Sequence, residues 1–254
     1  MAHTWDPARY LTFADERGRP FTDLLAQVGA TAPETVVDLG CGPGNLTRLL
    51  ADRWPRARVA GLDSSPEMVA AAESIAGIEW GVADVREWTA GEPVDVIVSN
   101  ATLQWVPDHL SLLPRLVEQL GPGGWLAFQV PGNFGEPSHT IRTEIAGRAP
   151  YDALTRDVAV PSSHSPVDYF EVLVALGLRV NAWETTYLHV LTGEDPVFTW
   201  VAGTGARPTL QALPLELRAE FELEFKVALA LAYPARDGRV LLPFRRIFVV
   251  ARKP

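Results

Sequence analysis

The sequence predicts an α/β protein whose core is a largely parallel, doubly wound sheet with helices on both faces. Three observations carry this. Strand-like and helix-like segments alternate from residue 35 to residue 130, as a chain of βαβ units requires. Segments such as "TVVDLG" and "VDVIVS" are continuously apolar, which marks strands buried on both faces. A late strand, a helical block and a final strand follow, which suggests an added antiparallel pair at the sheet edge.

In chain order, "DPARYLTFADERGRPFTDLLAQVG" reads as two short helices broken at Gly18-Arg19-Pro20, because proline cannot donate to a helix it interrupts. "TVVDLG" is the first strand and runs into a glycine-rich turn. "NLTRLLADRWP" has apolar residues at helical spacing and stops at Pro55. "ARVAGLD" is the second strand. "SSPEMVAAAESIAG" is a helix with Ser65 as N-cap, Pro66 in its first position and Gly77 at its end. "IEWGVAD" and "VDVIVSN" are the third and fourth strands. A helix over "HLSLLPRLVEQLGPGG", with Asp108 as its N-cap, leads to the fifth strand, "WLAFQVPG". A helix near Ser138–Gly147, a polar loop "AVPSSHSP" and a helix "PVDYFEVLVALG" come next. The long strand "RVNAWETTYLHVL", a mostly helical block over about 194–233 and the closing strand "LLPFRRIFVVARKP" complete the chain. Residues 1–254 are thus expected to form a single domain. Its N-terminal helices 6–29 and the helical inserts at about 132–165 and 194–233 are expected to lie over the strand ends as a substrate cap.

The chain has 254 residues, 47% of them hydrophobic, enough for one large core. A net charge of −9 argues against nucleic-acid or anionic-membrane partners, which need basic surface. One cysteine, Cys41, excludes an internal disulfide framework and a cysteine-based zinc site. No apolar run is long enough to span a bilayer, and "MAHTWDPARY" lacks the regions of a signal peptide. A soluble cytoplasmic protein is expected.

"VVDLGCGPGN" places Gly40, Gly42 and Gly44 between a strand and a helix. Glycines there let a ligand approach the backbone, and a helix N-terminus favours an anionic group such as a carboxylate. The spacing departs from the dinucleotide fingerprint, with Asn45 where a third glycine would stand. A tight turn with no ligand is the alternative. Asp63 ends the second strand, where a carboxylate can accept from ribose hydroxyls. Asp84 ends the third, where it can accept from an adenine amine beside Val85 and Trp88. Either acid alone could be a helix cap or a solvated loop residue. Three consecutive strand ends carrying fitting groups favour a nucleoside site.

These motifs, with "VSNATLQW", resemble the class I S-adenosylmethionine-dependent methyltransferases. The resemblance implies a Rossmann-like seven-stranded methyltransferase sheet with its last strand antiparallel and a helical cap. It implies S-adenosylmethionine as cofactor, S-adenosylhomocysteine as product, and no metal. Asp38, Gly40, Gly42 and Gly44 would surround the methionine moiety, Asp63 and its neighbour Ser64 the ribose, Asp84 and Val85 the adenine. Asn100 would begin the loop beside the sulfonium.

A narrower resemblance extends over nearly the whole chain. "WDPARYLTFADERGRP", "SPEMVA", "NATLQWVPDH", "VPGNFGEPSH", "ETTYLH", "TGARPTLQ" and "FRRIFVVAR" look like the trans-aconitate 2-methyltransferases, which make a monomethyl ester of a small tricarboxylate. A carboxylate is ionised at neutral pH, so it needs no general base, and no catalytic residue beyond positioning groups is expected. Arginine suits the task because its planar fork pairs with carboxylates. The candidates are Arg17, Arg19, Arg207 and one of Arg245 and Arg246, which point to opposite faces of a strand; the family pattern favours Arg246. Arg9 is a weaker candidate. Tyr10, His139, Tyr187 and His189 could donate to substrate, and Trp105 could wall the reaction chamber. Each of these has an alternative as an ion pair, a satisfied polar residue or core packing. Trp200 reads as core, and Asp108 with His109 as no acid–base pair. Small methyltransferases of this type can be monomers, and a monomer is expected.

Overall fold

The computed structural model describes residues 14–254, with side chains from Gly18 onward. Its elements are α1 (Ala14–Ala26), β1 (Thr35–Leu39), α2 (Thr47–Arg53), β2 (Arg58–Asp63), α3 (Pro66–Ala72), β3 (Glu79–Val82), β4 (Val94–Asn100), α4 (Leu113–Glu118) and β5 (Leu120–Pro131). There follow α5 (Pro137–Ala146), α6 (Asp152–Thr155), α7 (Pro166–Ala175), β6 (Arg179–Leu191), α8 (Pro196–Ala202), α9 (Arg207–Ala212), α10 (Leu215–Ala232) and β7 (Val240–Arg252).

The strands form one seven-stranded sheet in the order β3-β2-β1-β4-β5-β7-β6. Pairings from β3 to β5 are parallel, and β5–β7 is antiparallel. The winding reverses between β1 and β4, and in open α/β sheets the crevice at such a switch point takes the ligand. Val37, Leu39, Ile97, Phe128 and Val249 belong to one buried cluster around the strands. No helix among the described residues is long and apolar enough to cross a membrane.

The chain divides into two compact units. The first comprises the described residues through Pro131, Ser163–Thr185 and Arg246–Pro254; the second comprises Gly132–Ser162 and Thr186–Arg245. Within the second, Phe221, Phe225 and Leu229 of α10 are buried. Tyr151 packs edge-on to Phe221 and Phe198 edge-on to Phe225.

Three local expectations need correction. Helix α1 runs through Gly18-Arg19-Pro20 without a break. An internal proline costs about 3 kcal/mol, but burying Phe21, Leu24 and Leu25 offsets this at about 1.5–3 kcal/mol each. Arg53 also donates to the Leu25 and Val28 carbonyls, both at 2.7 Å, closing the end of α1. Helix α3 stops at Ala72, and Gly77 (φ +83°) belongs to the turn beyond it. Helix α4 begins only at Leu113. A helix from Asp108 would place Pro114 in its interior, whereas proline fits the first turn. Asp108 is therefore not an N-cap. It lies in a left-handed turn, φ +50°, and its carbonyl accepts from the Ser111 hydroxyl at 2.7 Å.

Candidate functional site

The glycine turn after β1 is shaped by what surrounds it. Gly40, Gly42 and Gly44 have φ of +80°, +55° and +81°. The Gly40 and Cys41 N–H groups both donate to the Leu62 carbonyl, at 2.7 and 3.0 Å. A Cβ on Gly40 would lie 1.9 Å from Thr102 Oγ1, and one on Gly44 would lie 2.6 Å from the Trp80 ring. Gly40 and Gly44 are thus demanded by packing. A Cβ on Gly42 would meet nothing within 4 Å, so there the backbone borders open space.

Two carboxylates flank this turn. Asp63 accepts from the Gly42 N–H and the Ser65 N–H, both at 2.9 Å, tying the end of β2 to the glycine turn and to the start of α3. Burial outweighs these bonds and raises its pKa. Ser64 is exposed beside it. Asp38 is 2% exposed. Its Oδ2 accepts from the Thr47 hydroxyl at 2.6 Å, while its Oδ1 is buried with no hydrogen-bond partner. Burial first, against the Thr47 bond, and then the nearby Asp63 charge push the Asp38 pKa up to about 7. An acid so placed is an acceptor waiting for a donor, best a cationic one.

Strand β3 ends at Val82, so Asp84 stands two residues past it, next to Ala83, whose N–H reaches the Asp63 carbonyl at 3.0 Å. Arg86 grips both Asp84 oxygens, and this bond holds the Asp84 pKa below the usual carboxylate range. Any ligand amine must share this carboxylate with Arg86. Val85 and Trp88 are half-buried and pack against the core cluster.

At the end of β4 the backbone bends sharply: Ala101 has φ +55°, and a 3-10 turn over Leu103–Trp105 follows. Leu103 and Gln104 are buried and Trp105 is half-buried. Asn100 Oδ1 accepts from Gln129 Nε2 at 2.5 Å, and Gln129 Oε1 accepts from Arg246 at 3.2 Å. Arg246 is buried, whereas Arg245, on the opposite face of β7, is half-buried and donates to the Gly132 carbonyl. His109 is a core residue: its ring nitrogens contact the Val106 carbonyl and the Tyr169 hydroxyl, and burial lowers its pKa.

In the second unit, Gly205 lies against the His139 ring, where a Cβ would come within 2.7 Å of Cε1. Arg207 follows two residues later, half-buried at the start of α9. His139 Nδ1 is buried with no hydrogen-bond partner. Burial, then the charge of Arg142, pushes the His139 pKa down to about 4, so the ring is neutral at neutral pH. Tyr187 and His189 are buried, with His189 4.4 Å from the Trp200 ring. Trp200 is core, 1% exposed.

Arg19 is exposed on α1. Arg9 and Tyr10 and the Arg17 side chain lie outside the described residues. Four contributors escaped the sequence reading: Thr47, Thr102, Gln129 and Arg142. Only Gln129 left a signal, as the lone polar residue inside the apolar strand "WLAFQV". No group of three or more His, Cys, Asp or Glu among the described residues is arranged to hold a metal.

A family profile described as a methyltransferase domain matches residues 10–175. The chain is 52% identical over 264 residues to a trans-aconitate 2-methyltransferase of Streptomyces avermitilis, spanning 98% of this chain and 97% of that protein. It is 49% identical over 251 residues to one of Mycobacterium tuberculosis, spanning 97% and 96%. Among solved structures it is similar in fold to the YcgJ protein of Bacillus subtilis, with TM-score 0.61 and 13% identity over 92% of this chain and 98% of that one. It is also similar in fold to phosphoethanolamine N-methyltransferase 2 of Haemonchus contortus, with TM-score 0.54 and 19% identity over 93% and 52%.

Proposed function

Because this chain belongs to the trans-aconitate 2-methyltransferase family, we propose that it moves the methyl group of S-adenosylmethionine onto a carboxylate oxygen of trans-aconitate, giving a monomethyl ester and S-adenosylhomocysteine.

The observation that carries the cofactor assignment is the buried, unpartnered Asp38 Oδ1 beside the open backbone at Gly42. S-adenosylmethionine supplies an electrophilic methyl group on a sulfonium centre. In our reading Asp38 takes the ammonium of its methionine moiety, and Gly40, Gly42 and Gly44 give that moiety access to the backbone. Asp63 and Ser64 hold the ribose, Asp84 and Val85 the adenine, and Asn100 borders the reacting end.

The chain's part in the chemistry is positional. A carboxylate is already a nucleophile at neutral pH, so no side chain has to remove a proton and no metal enters the proposal. Holding the oxygen in line with the methyl group is worth about 7–11 kcal/mol. We assign that task first to Arg246, because it is buried and joined through Gln129 to Asn100. Arg207, Arg17 and Arg19 are assigned to further substrate carboxylates, and Tyr10, Tyr187 and neutral His139 to neutral hydrogen bonds. Trp105 is assigned to excluding water. On this reading the N-terminal segment and the inserts at about 132–165 and 194–233 supply substrate-binding side chains within one functional domain, acting on a small tricarboxylate as a cytoplasmic monomer.

Incubation with methyl-labelled S-adenosylmethionine and trans-aconitate tests the reading. Label released from the product by mild base supports it. Turnover of a catechol or an amine, with none of any polycarboxylate, refutes it.

A further inference from the structure

We propose that the second unit carries a separate binding site for a small monocarboxylate with an apolar body, centred on Arg142.

Arg142 lies on α5 and is 4% exposed. Its guanidinium donates to the Gly205 carbonyl and to the Thr143 hydroxyl, which leaves further donors among the five such a group carries. Among the described residues no carboxylate forms an ion pair with it. Burial lowers its pKa, yet arginine stays charged in proteins. A buried charge without a counter-ion is costly. Here it lines a cleft of about 500 Å³, within the usual range for small-molecule sites.

The cleft's other groups define the ligand. Arg156 adds a second cation and Asp152 one carboxylate, both exposed side chains. His139, one turn before Arg142, is neutral and adds no charge. The net charge facing the cleft is therefore positive by a single unit, which matches a monoanion and not a tricarboxylate. The Thr143 and Thr155 hydroxyls already donate to the His139 and Ala146 carbonyls, at 3.1 and 2.8 Å. They have no proton to spare, so the arginines and buried Thr209 must meet the ligand's head. Ala146, Val158 and Val160 make up an apolar wall, which calls for an apolar body. None of the residues assigned above to S-adenosylmethionine or trans-aconitate lines this cleft.

Benzoate is a suitable probe, and titration calorimetry on the full-length protein a suitable readout. S-adenosylhomocysteine and trans-aconitate are held in excess so that the methyl-transfer site is filled. The expected result is saturable benzoate binding that survives both competitors. Arg142→Gln should weaken it about tenfold or more, as loss of a charged hydrogen bond implies. Arg156→Ala should weaken it about three- to fivefold, as for an exposed ion pair. If Arg142→Gln fails to fold, Arg156→Ala decides, because its side chain is exposed. Absence of saturable binding at millimolar benzoate, displacement by trans-aconitate, or unchanged affinity in Arg156→Ala would overturn the proposal.

Discussion

The Arg246 guanidinium donates to the Gln129 side-chain oxygen at 3.2 Å across the β5–β7 ladder, and the same Gln129 donates to Asn100 at 2.5 Å. A buried amide thus links the proposed substrate arginine to the end of β4, where the cofactor crevice lies. Both Gln129 and Arg246 are almost fully buried, so neither can be reoriented without leaving a polar group unsatisfied.

Replacing Arg246 with alanine removes a charged donor from the proposed substrate site. Charged hydrogen bonds are worth about 1.5–3 kcal/mol, so KM for trans-aconitate should rise about 10- to 150-fold. The Kd for S-adenosylmethionine should stay close to that of the parent. Steady-state kinetics and calorimetry on the same preparation separate the two. Equal losses in both would show that Arg246 supports the fold rather than the substrate.

The glycine turn predicts two different kinds of damage. Gly40→Ala drives a Cβ into Thr102, 1.9 Å from its hydroxyl, at a φ of +80°. Gly42→Ala meets no protein atom and bears only left-handed strain, about 1–2 kcal/mol. Thermal denaturation should therefore show the larger fall for Gly40→Ala. Both variants should lose S-adenosylmethionine affinity, Gly42→Ala because the methyl occupies the space left for the ligand.

Asp38 makes stability and cofactor binding respond oppositely to pH. Its folded-state pKa is about 7 against an ordinary value of 3.8. Between these values the folded protein holds a proton that the unfolded chain has released, so this group's contribution to stability falls as pH rises from about 4 to about 7. Affinity for S-adenosylmethionine should rise over the upper part of the same interval, as the carboxylate that meets the ammonium ionises. In Asp38→Asn, affinity should be lower and flat between pH 6 and pH 8 by about the amount the parent varies. A parent whose affinity is equally flat would remove Asp38 from the ammonium contact.

Tyr169→Phe tests a purely structural contact. The Tyr169 hydroxyl lies 2.6 Å from His109 Nε2 and also accepts from the His164 N–H at 3.2 Å. Deleting it leaves buried groups unsatisfied at a cost of about 1–3 kcal/mol. Urea denaturation should show that loss, while kcat/KM of the folded enzyme remains as in the parent. A change in kcat/KM without a stability change would place His109 in the chemistry after all.

The sheet was legible because its strands are long apolar or β-branched runs bounded by turn residues. "VDVIVSN" and "RVNAWETTYLHVL" coincide with β4 and β6 residue for residue. Helix limits were less legible, because packing decided them. Three buried apolar residues carry α1 through Pro20, and Pro114 delays α4 past Asp108. The crevice residues Asp38, Gly40, Gly42, Gly44 and Asp63 stood out because strand ends and glycine spacing have a period that a single chain displays. Their partners did not. Thr47 and Thr102 earn their positions through contacts 9 and 62 residues away in sequence. Arg142 looks in sequence like any arginine on a helix, and only its burial without a carboxylate partner sets it apart.

The most direct test of carboxyl methylation positioned by arginine is a comparison of kcat/KM for trans-aconitate, cis-aconitate and citrate under identical conditions, with each product identified by mass spectrometry. The account predicts trans-aconitate as the preferred acceptor and a single methyl ester as its product. Methyl transfer to a carbon, hydroxyl or amine of another acceptor, with no ester from any of the three acids, would contradict it.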